Sequence, residues 1–154
     1  MTEQKIRKAA RTVIFDELDR VAILEVKNGD YHKIPGGGID DGENEESTAV
    51  REALEESGCD VKIIKKIGEQ DFIDPGDDNL IHHSVCFLAE KIKNHETSFF
   101  TKEEEENKFR LLWLPVNEAI ELFKNVKTKL PFELAMNNRD LKFLEIAIQD
   151  KFKK

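Results

Sequence analysis

The 154-residue sequence is poor in cysteine and in tryptophan, and it lacks a net positive charge and long apolar runs. Its two cysteines, Cys59 and Cys86, are too few for a disulfide scaffold and have no metal-ligand spacing. Both sit among apolar residues and are expected as buried thiols outside any disulfide. No segment approaches the roughly 20 apolar residues needed to cross a bilayer as a helix. The opening MTEQKIRKAARTVIF passes from polar and charged residues into a short apolar stretch. It lacks the longer apolar segment of a secretory signal, so the expected location is cytoplasmic, away from membranes. Lys and Arg total 24 against 32 Asp and Glu, a formal net charge of −8, with no basic stripe interleaved with aromatics. That balance excludes a nucleic-acid grip, and any phosphate-bearing ligand then requires a cation to mediate its binding.

Hydrophobic residues make up 39% and charged residues 36%, with ten phenylalanines, a mixture that suits a packed core rather than a disordered chain. The length fits a single domain over 1–154. Apolar and β-branched runs predict strands over Arg11–Phe15, Val21–Val26 and Tyr31–Ile34, separated by turn-forming residues at 16–19 and 28–30. The Gly-rich IPGGGIDDGE reads as a loop. It leads into a Gly- and Pro-free stretch, Glu45–Ser57, predicted as a helix that stops at Gly58. Further strands are expected over Val61–Ile67, Glu69–Ile73 and Ile81–Leu88, with DPGDDN as a loop between the last two. The acidic run Lys102–Asn107 reads as another loop, then a strand at Phe109–Leu114, a short helix at Val116–Phe123 and a longer one at Pro131–Lys151.

The informative segment is GGIDDGENEESTAVREALEESGC, which fits G-x5-E-x7-R-E-U-x-E-E-x-G-U, where U is apolar. Gly37, Glu43, Arg51, Glu52, Glu55, Glu56 and Gly58 fill the fixed positions, and Ala53 and Cys59 fill the two apolar ones. On a helix, Glu52, Glu55 and Glu56 fall within one narrow arc, while Val50, Ala53 and Leu54 take roughly the opposite face and are expected to pack. Like charges three and four residues apart destabilise a helix by about 0.2–0.5 kcal/mol per pair, so the acidic arc is better explained by a bound cation. Carboxylate oxygens select hard ions such as Mg²⁺ or Mn²⁺. Gly36, Gly37 and Gly38 permit a tight backbone path beside phosphate oxygens, and Glu43 with Arg51 are opposite charges suited to pinning the loop over the helix.

This segment resembles the Nudix box of the MutT-like hydrolases, and the likeness extends more weakly through YHKIPGG before it and WLPVNEA after it. The resemblance implies an α/β/α sandwich with a mixed sheet and a catalytic apparatus of Glu52, Glu55, Glu56, Arg51 and Glu43. Within it, Glu52, Glu55 and Glu56 would be metal ligands, the Gly36 backbone carbonyl a further ligand, and Glu43–Arg51 the structural pair. It also implies hydrolysis of a phosphoanhydride bond in a nucleoside diphosphate linked to a group X. A general base would come from the box or from a later loop, where Glu103, Glu104, Glu105 and Glu106 stand. Substrate contacts are expected from Gly36, Gly37, Gly38, Lys33, Tyr31 and Phe72.

A nucleoside triphosphate, oxidised or not, ranks first as substrate, giving a monophosphate and pyrophosphate. An ADP-ribose or nucleotide-sugar pyrophosphatase ranks second: Pro75-Gly76 lies about where that subgroup has a proline past the box, but Asp74 and Asp77 flank it in place of the subgroup's usual serine and glutamate. A nucleotide-sensing module without catalysis is disfavoured by the intact box. His82 and His83, adjacent on a strand, must point to opposite faces and cannot form one metal site alone. Trp113, between two leucines, is expected in the core. The partner is expected to be a small nucleotide, with monomer and homodimer left open.

Overall fold

A computed structural model describes residues 3–94 and 109–153. Strands β1 (Lys5–Phe15), β2 (Arg20–Val26), β3 (Tyr31–Lys33) and β4 (Gly36–Gly38) come first, then helix α1 (Glu45–Ser57). Strands β5 (Cys59–Asp74), β6 (Asp77–Asn94) and β7 (Arg110–Pro115) follow, then helices α2 (Val116–Lys124) and α3 (Pro131–Lys151). The sheet runs β3-β2-β1-β6-β5, with β4 paired to β1 and β7 to β2. Among the described strands β1 and β6 pair in parallel and the other pairs are antiparallel, which makes the sheet mixed.

Strand β1 is buried without interruption from Ala9 to Phe15 because helices cover both faces of the sheet. Val13 and Phe15 join Phe143, Leu144 and Ala147 of α3 in one cluster. The alternate residues Ala10 and Ile14 belong to clusters holding Ala49 and Ala53 of α1. The result is an α/β/α sandwich, and Trp113 packs in it against the Ile14–Ala53 cluster. Cys59 and Cys86 are both buried and form no disulfide.

Several boundaries differ from the sequence reading. Strand β1 begins at Lys5, since its exposed first residues are held by parallel pairing with β6 from Lys5↔Leu80 onward, which leaves no hydrophobic alternation to detect. The segments 61–67 and 69–73 are one strand, β5, in which Gly68 marks a register shift rather than a break. DPGDDN shrinks to a turn at Pro75-Gly76, with the Asp74 carboxylate accepting the Gly76 amide at 2.8 Å. Gly36–Gly38, read as loop, pairs antiparallel with Ala9–Arg11. Helix α1 keeps its expected limits: Asn44 and Ser47 form a reciprocal cap at its start, and Gly58 closes it at φ +69°.

The packing face of α1 also differs. Val50 is exposed, while the buried stripe contains Ala49, Ala53 and Glu56, spaced by four and then three residues. Glu56 therefore sits on the sheet-facing side, at 0% exposure, and not on a solvent-facing acidic arc.

Candidate functional site

Helix α1 and strand β4 are bound to each other by the box residues. Glu56 Oε1 accepts the Gly36 amide at 2.8 Å, and Lys33 Nζ stands 3.7 Å from Glu56 Oε2. The backbone at Gly37 passes so close to Glu52 that a Cβ there would lie 2.4 Å from its Oε1. Gly36 is packed on its other side, where a Cβ would fall 2.6 Å from the Ala10 carbonyl oxygen and 2.8 Å from Arg11 Cα. The two glycines are required by close approach and not by backbone dihedral angle.

Arg51 is the hub of the arrangement. Its Nε and Nη2 donate to Glu43 at 2.7 and 2.9 Å, and Nη2 also reaches the Gly38 carbonyl at 3.3 Å. Its Nη1 lies 3.0 Å from Glu52 Oε1 and 3.2 Å from Glu55 Oε1. The Arg51 hydrogen bonds and the Asp40 amide pull the Glu43 carboxyl down to about 2, and the same bonds push the Arg51 guanidinium up. Glu43 also accepts from Thr48, so the loop, its carboxylate and the helix start form one unit.

The donor chemistry of Glu52, Glu55 and Glu56 fits a hard divalent cation: three carboxylates from one helix end, at side-chain exposures of 12%, 29% and 0%. Among the described residues no three such groups are gathered into a ready cage. Arg51 supplies the positive charge between Glu52 and Glu55, and Glu56 is turned toward the Gly36 amide. To hold an ion, Glu52 and Glu55 would exchange the Arg51 Nη1 contact for it.

The other sequence candidates are distributed around this centre. Lys33 joins it, with its ammonium also 4.7 Å from the centre of the Phe109 ring. Tyr31 is buried, and burial pushes its hydroxyl up to about 12. Phe72 stacks on His82 at 4.8 Å and lies 5.7 Å from the Arg139 guanidinium. His82 and His83 occupy opposite faces as expected, His82 bonded to Asp74 at 2.7 Å and His83 paired with Asp71. Gly38 is open on its Cβ side. Glu103, Glu104, Glu105 and Glu106 lie outside the described residues.

Sequence reasoning missed a buried polar layer. Arg11 on β1 is 8% exposed, and burial, then the charge of Arg139, hold its guanidinium down to about 10. On α3, Asp140 accepts the Ile34 amide at 3.0 Å and the Arg139 Nε at 2.8 Å, while the Asn137 amide donates to the Phe123 carbonyl at 2.9 Å. The available signal was the polar run Asn137–Asp140 interrupting the apolar stripe of a long helix.

A mixed sheet between helices, with a glutamate-rich helix held under a glycine strand, defines the class to which the chain is compared. The NUDIX domain model matches residues 5–134, and the chain belongs to that family. It is 34% identical over 61 residues to a Bacillus subtilis (strain 168) protein carrying the provisional name 8-oxo-dGTP diphosphatase, covering 40% of this chain and 41% of that one. It is 44% identical over 70 residues to an RNA pyrophosphohydrolase of Wolbachia sp. subsp. Brugia malayi (strain TRS), covering 43% and 44%. The chain thus matches under half the length of each curated relative. Among solved structures, a NUDIX hydrolase from Nitrosomonas europaea superposes with a TM-score of 0.66 at 16% identity, over 97% of both chains, a likeness of fold.

Proposed function

We propose that this Nudix hydrolase cuts a phosphoanhydride bond in a nucleoside diphosphate linked to X, with a nucleoside triphosphate, oxidised or not, as the first-ranked substrate. The products would be a nucleoside monophosphate and pyrophosphate. The observation carrying this reading is the joining of the four box glutamates to one glycine strand: Glu56 through the Gly36 amide, Glu52 against Gly37, and Glu43 and Glu55 through Arg51, which reaches the Gly38 carbonyl. The names of the two relatives, 8-oxo-dGTP diphosphatase and RNA pyrophosphohydrolase, support the same class of bond.

Glu52, Glu55 and Glu56 would hold Mg²⁺ or Mn²⁺, with the Gly36 carbonyl as a further ligand. Such an ion, when bound, supplies neutralisation of the diphosphate and acidification of water. Lys33, beside Glu56, adds a fixed positive charge for a phosphate oxygen. Gly36, Gly37 and Gly38 give the diphosphate a backbone surface free of side chains, while Tyr31 and Phe72 are assigned to the nucleoside end.

A carboxylate must accept the proton of the attacking water, and we assign it to one of Glu103–Glu106, with Glu52 as the alternative. The run ends three residues before Phe109, whose ring meets Lys33 beside Glu56. Single Gln substitutions are expected to give one variant with a large fall in turnover and little change in substrate affinity, and three near-silent ones. Four silent variants would move the base to Glu52. The reading as a whole is tested by incubating the purified chain and Mg²⁺ with nucleoside triphosphates, ADP-ribose, dinucleoside polyphosphates and capped RNA. Release of monophosphate and pyrophosphate from a triphosphate is expected, and no cleavage of any member would overturn it.

A further inference from the structure

A second concave site lies away from the box. Strand β7 alternates: Leu111 and Trp113 pack toward Ala53 and Cys59 on the α1 side, while Leu112 and Leu114 face the other way, toward α2. On that opposite side is a cavity of about 730 Å³, walled by Leu112, Leu114 and Leu122. This volume falls within the usual range of small-molecule sites, about 300–1,000 Å³.

His32 of β3 also lines the cavity. It is 4% exposed, and its Nδ1 has no hydrogen-bond partner among the described residues. Its ring centroid is 6.1 Å from that of Phe123, and burial lowers its affinity for a proton, so it meets a ligand as a neutral imidazole.

The outer lining has the wrong sign for a polyphosphate. Arg110 is already bound to Glu25 at 2.6 Å, which leaves two carboxylates in the lining, Glu118 and Glu121, against one ammonium, Lys127. Carboxylates at a rim accept hydrogen bonds from sugar hydroxyls and repel phosphate. Apolar walls and a neutral imidazole suit a planar heterocycle.

We propose that the cavity between β7 and α2 is a binding site for an uncharged nucleoside, its base lying between the His32 ring and the leucine walls and its ribose toward the Glu118–Glu121 rim. The site is separate from the box and does not depend on the hydrolytic reading.

The test uses the full chain, ¹⁵N-labelled, in EDTA, titrated with adenosine, guanosine, cytidine and uridine while the His32 ring nitrogens are followed by NMR. At least one nucleoside should move a His32 ring-nitrogen resonance saturably, and its 5′-monophosphate should bind at least tenfold more weakly. Leu112→Trp, which fills the cavity, should abolish the response. Glu121→Lys, a change at an exposed position, should narrow the difference between nucleoside and monophosphate, and it carries the test if the Trp variant fails to fold. Glu55→Gln should leave binding unchanged. The proposal is overturned if no nucleoside shifts His32 at millimolar concentration, if the monophosphate binds as well as its nucleoside, or if binding is lost in Glu55→Gln.

Discussion

The wholly buried carboxylate of Glu56 accepts the Gly36 amide at 2.8 Å and so ties the last turn of α1 to strand β4. It therefore acts in the fold, besides being a proposed metal ligand. Glu56→Gln keeps an acceptor for that amide and is expected to hold the melting temperature while lowering turnover by orders of magnitude. Glu56→Ala leaves both the amide and Lys33 without their partner. Breaking a buried pair in this way costs about 3 kcal/mol or more, or roughly 6–12 °C for a chain of this size. Thermal melts of the two variants check this; equal melting temperatures would show that the amide contact contributes little.

Gly36 and Gly37 are predicted to differ in what alanine does. At Gly37 the obstacle is the flexible end of Glu52, so Gly37→Ala should fold normally and lose activity as Glu52 is displaced. At Gly36 the obstacle is the backbone of β1, so Gly36→Ala should lose about 1–3 kcal/mol through forced separation of the strands. Denaturant titration and an activity assay on the pair distinguish these outcomes. A stable Gly36→Ala variant would contradict the packing.

The Glu43–Arg51 contact makes a pH prediction. Glu43 is lowered from 4.5 to about 2 in the folded chain, first by the Arg51 hydrogen bonds. A depressed carboxyl contributes stability that is fully present above its unfolded value and is lost as pH falls through the folded one. The contribution should therefore disappear between about pH 4.5 and pH 2. Melting temperature against pH should fall less steeply across that window in Glu43→Gln and in Arg51→Ala than in the parent chain. Identical slopes would show that the pair adds nothing to stability.

Much of this was legible in the sequence, for definite reasons. Helix α1 was bounded because the absence of Gly and Pro over Glu45–Ser57 and the stop at Gly58 are both local to the sequence. The box residues were legible because their spacing is local to one loop and one helix. What could not be read depends on long-range pairing. Lys5–Lys8 are strand only because β6 lies beside them, and Gly36–Gly38 only because β1 does. The burial of Glu56 was hidden because a helical arc tells which residues share a face, not how far the buried face extends. The Arg11, Arg139 and Asp140 layer joins residues more than a hundred positions apart, a relation that no periodicity expresses.

The central claim, that the carboxylates of α1 serve phosphoanhydride cleavage, is tested most directly at Glu55. This side chain is 29% exposed and contacts Arg51 on the helix surface, so its loss should barely disturb the fold. The measurement is the rate of pyrophosphate release from nucleoside triphosphates at saturating Mg²⁺, for the parent chain and for Glu55→Gln. The account predicts release by the parent and a rate lower by orders of magnitude in the variant, with an unchanged melting temperature. Near-equal rates in the two proteins would contradict it.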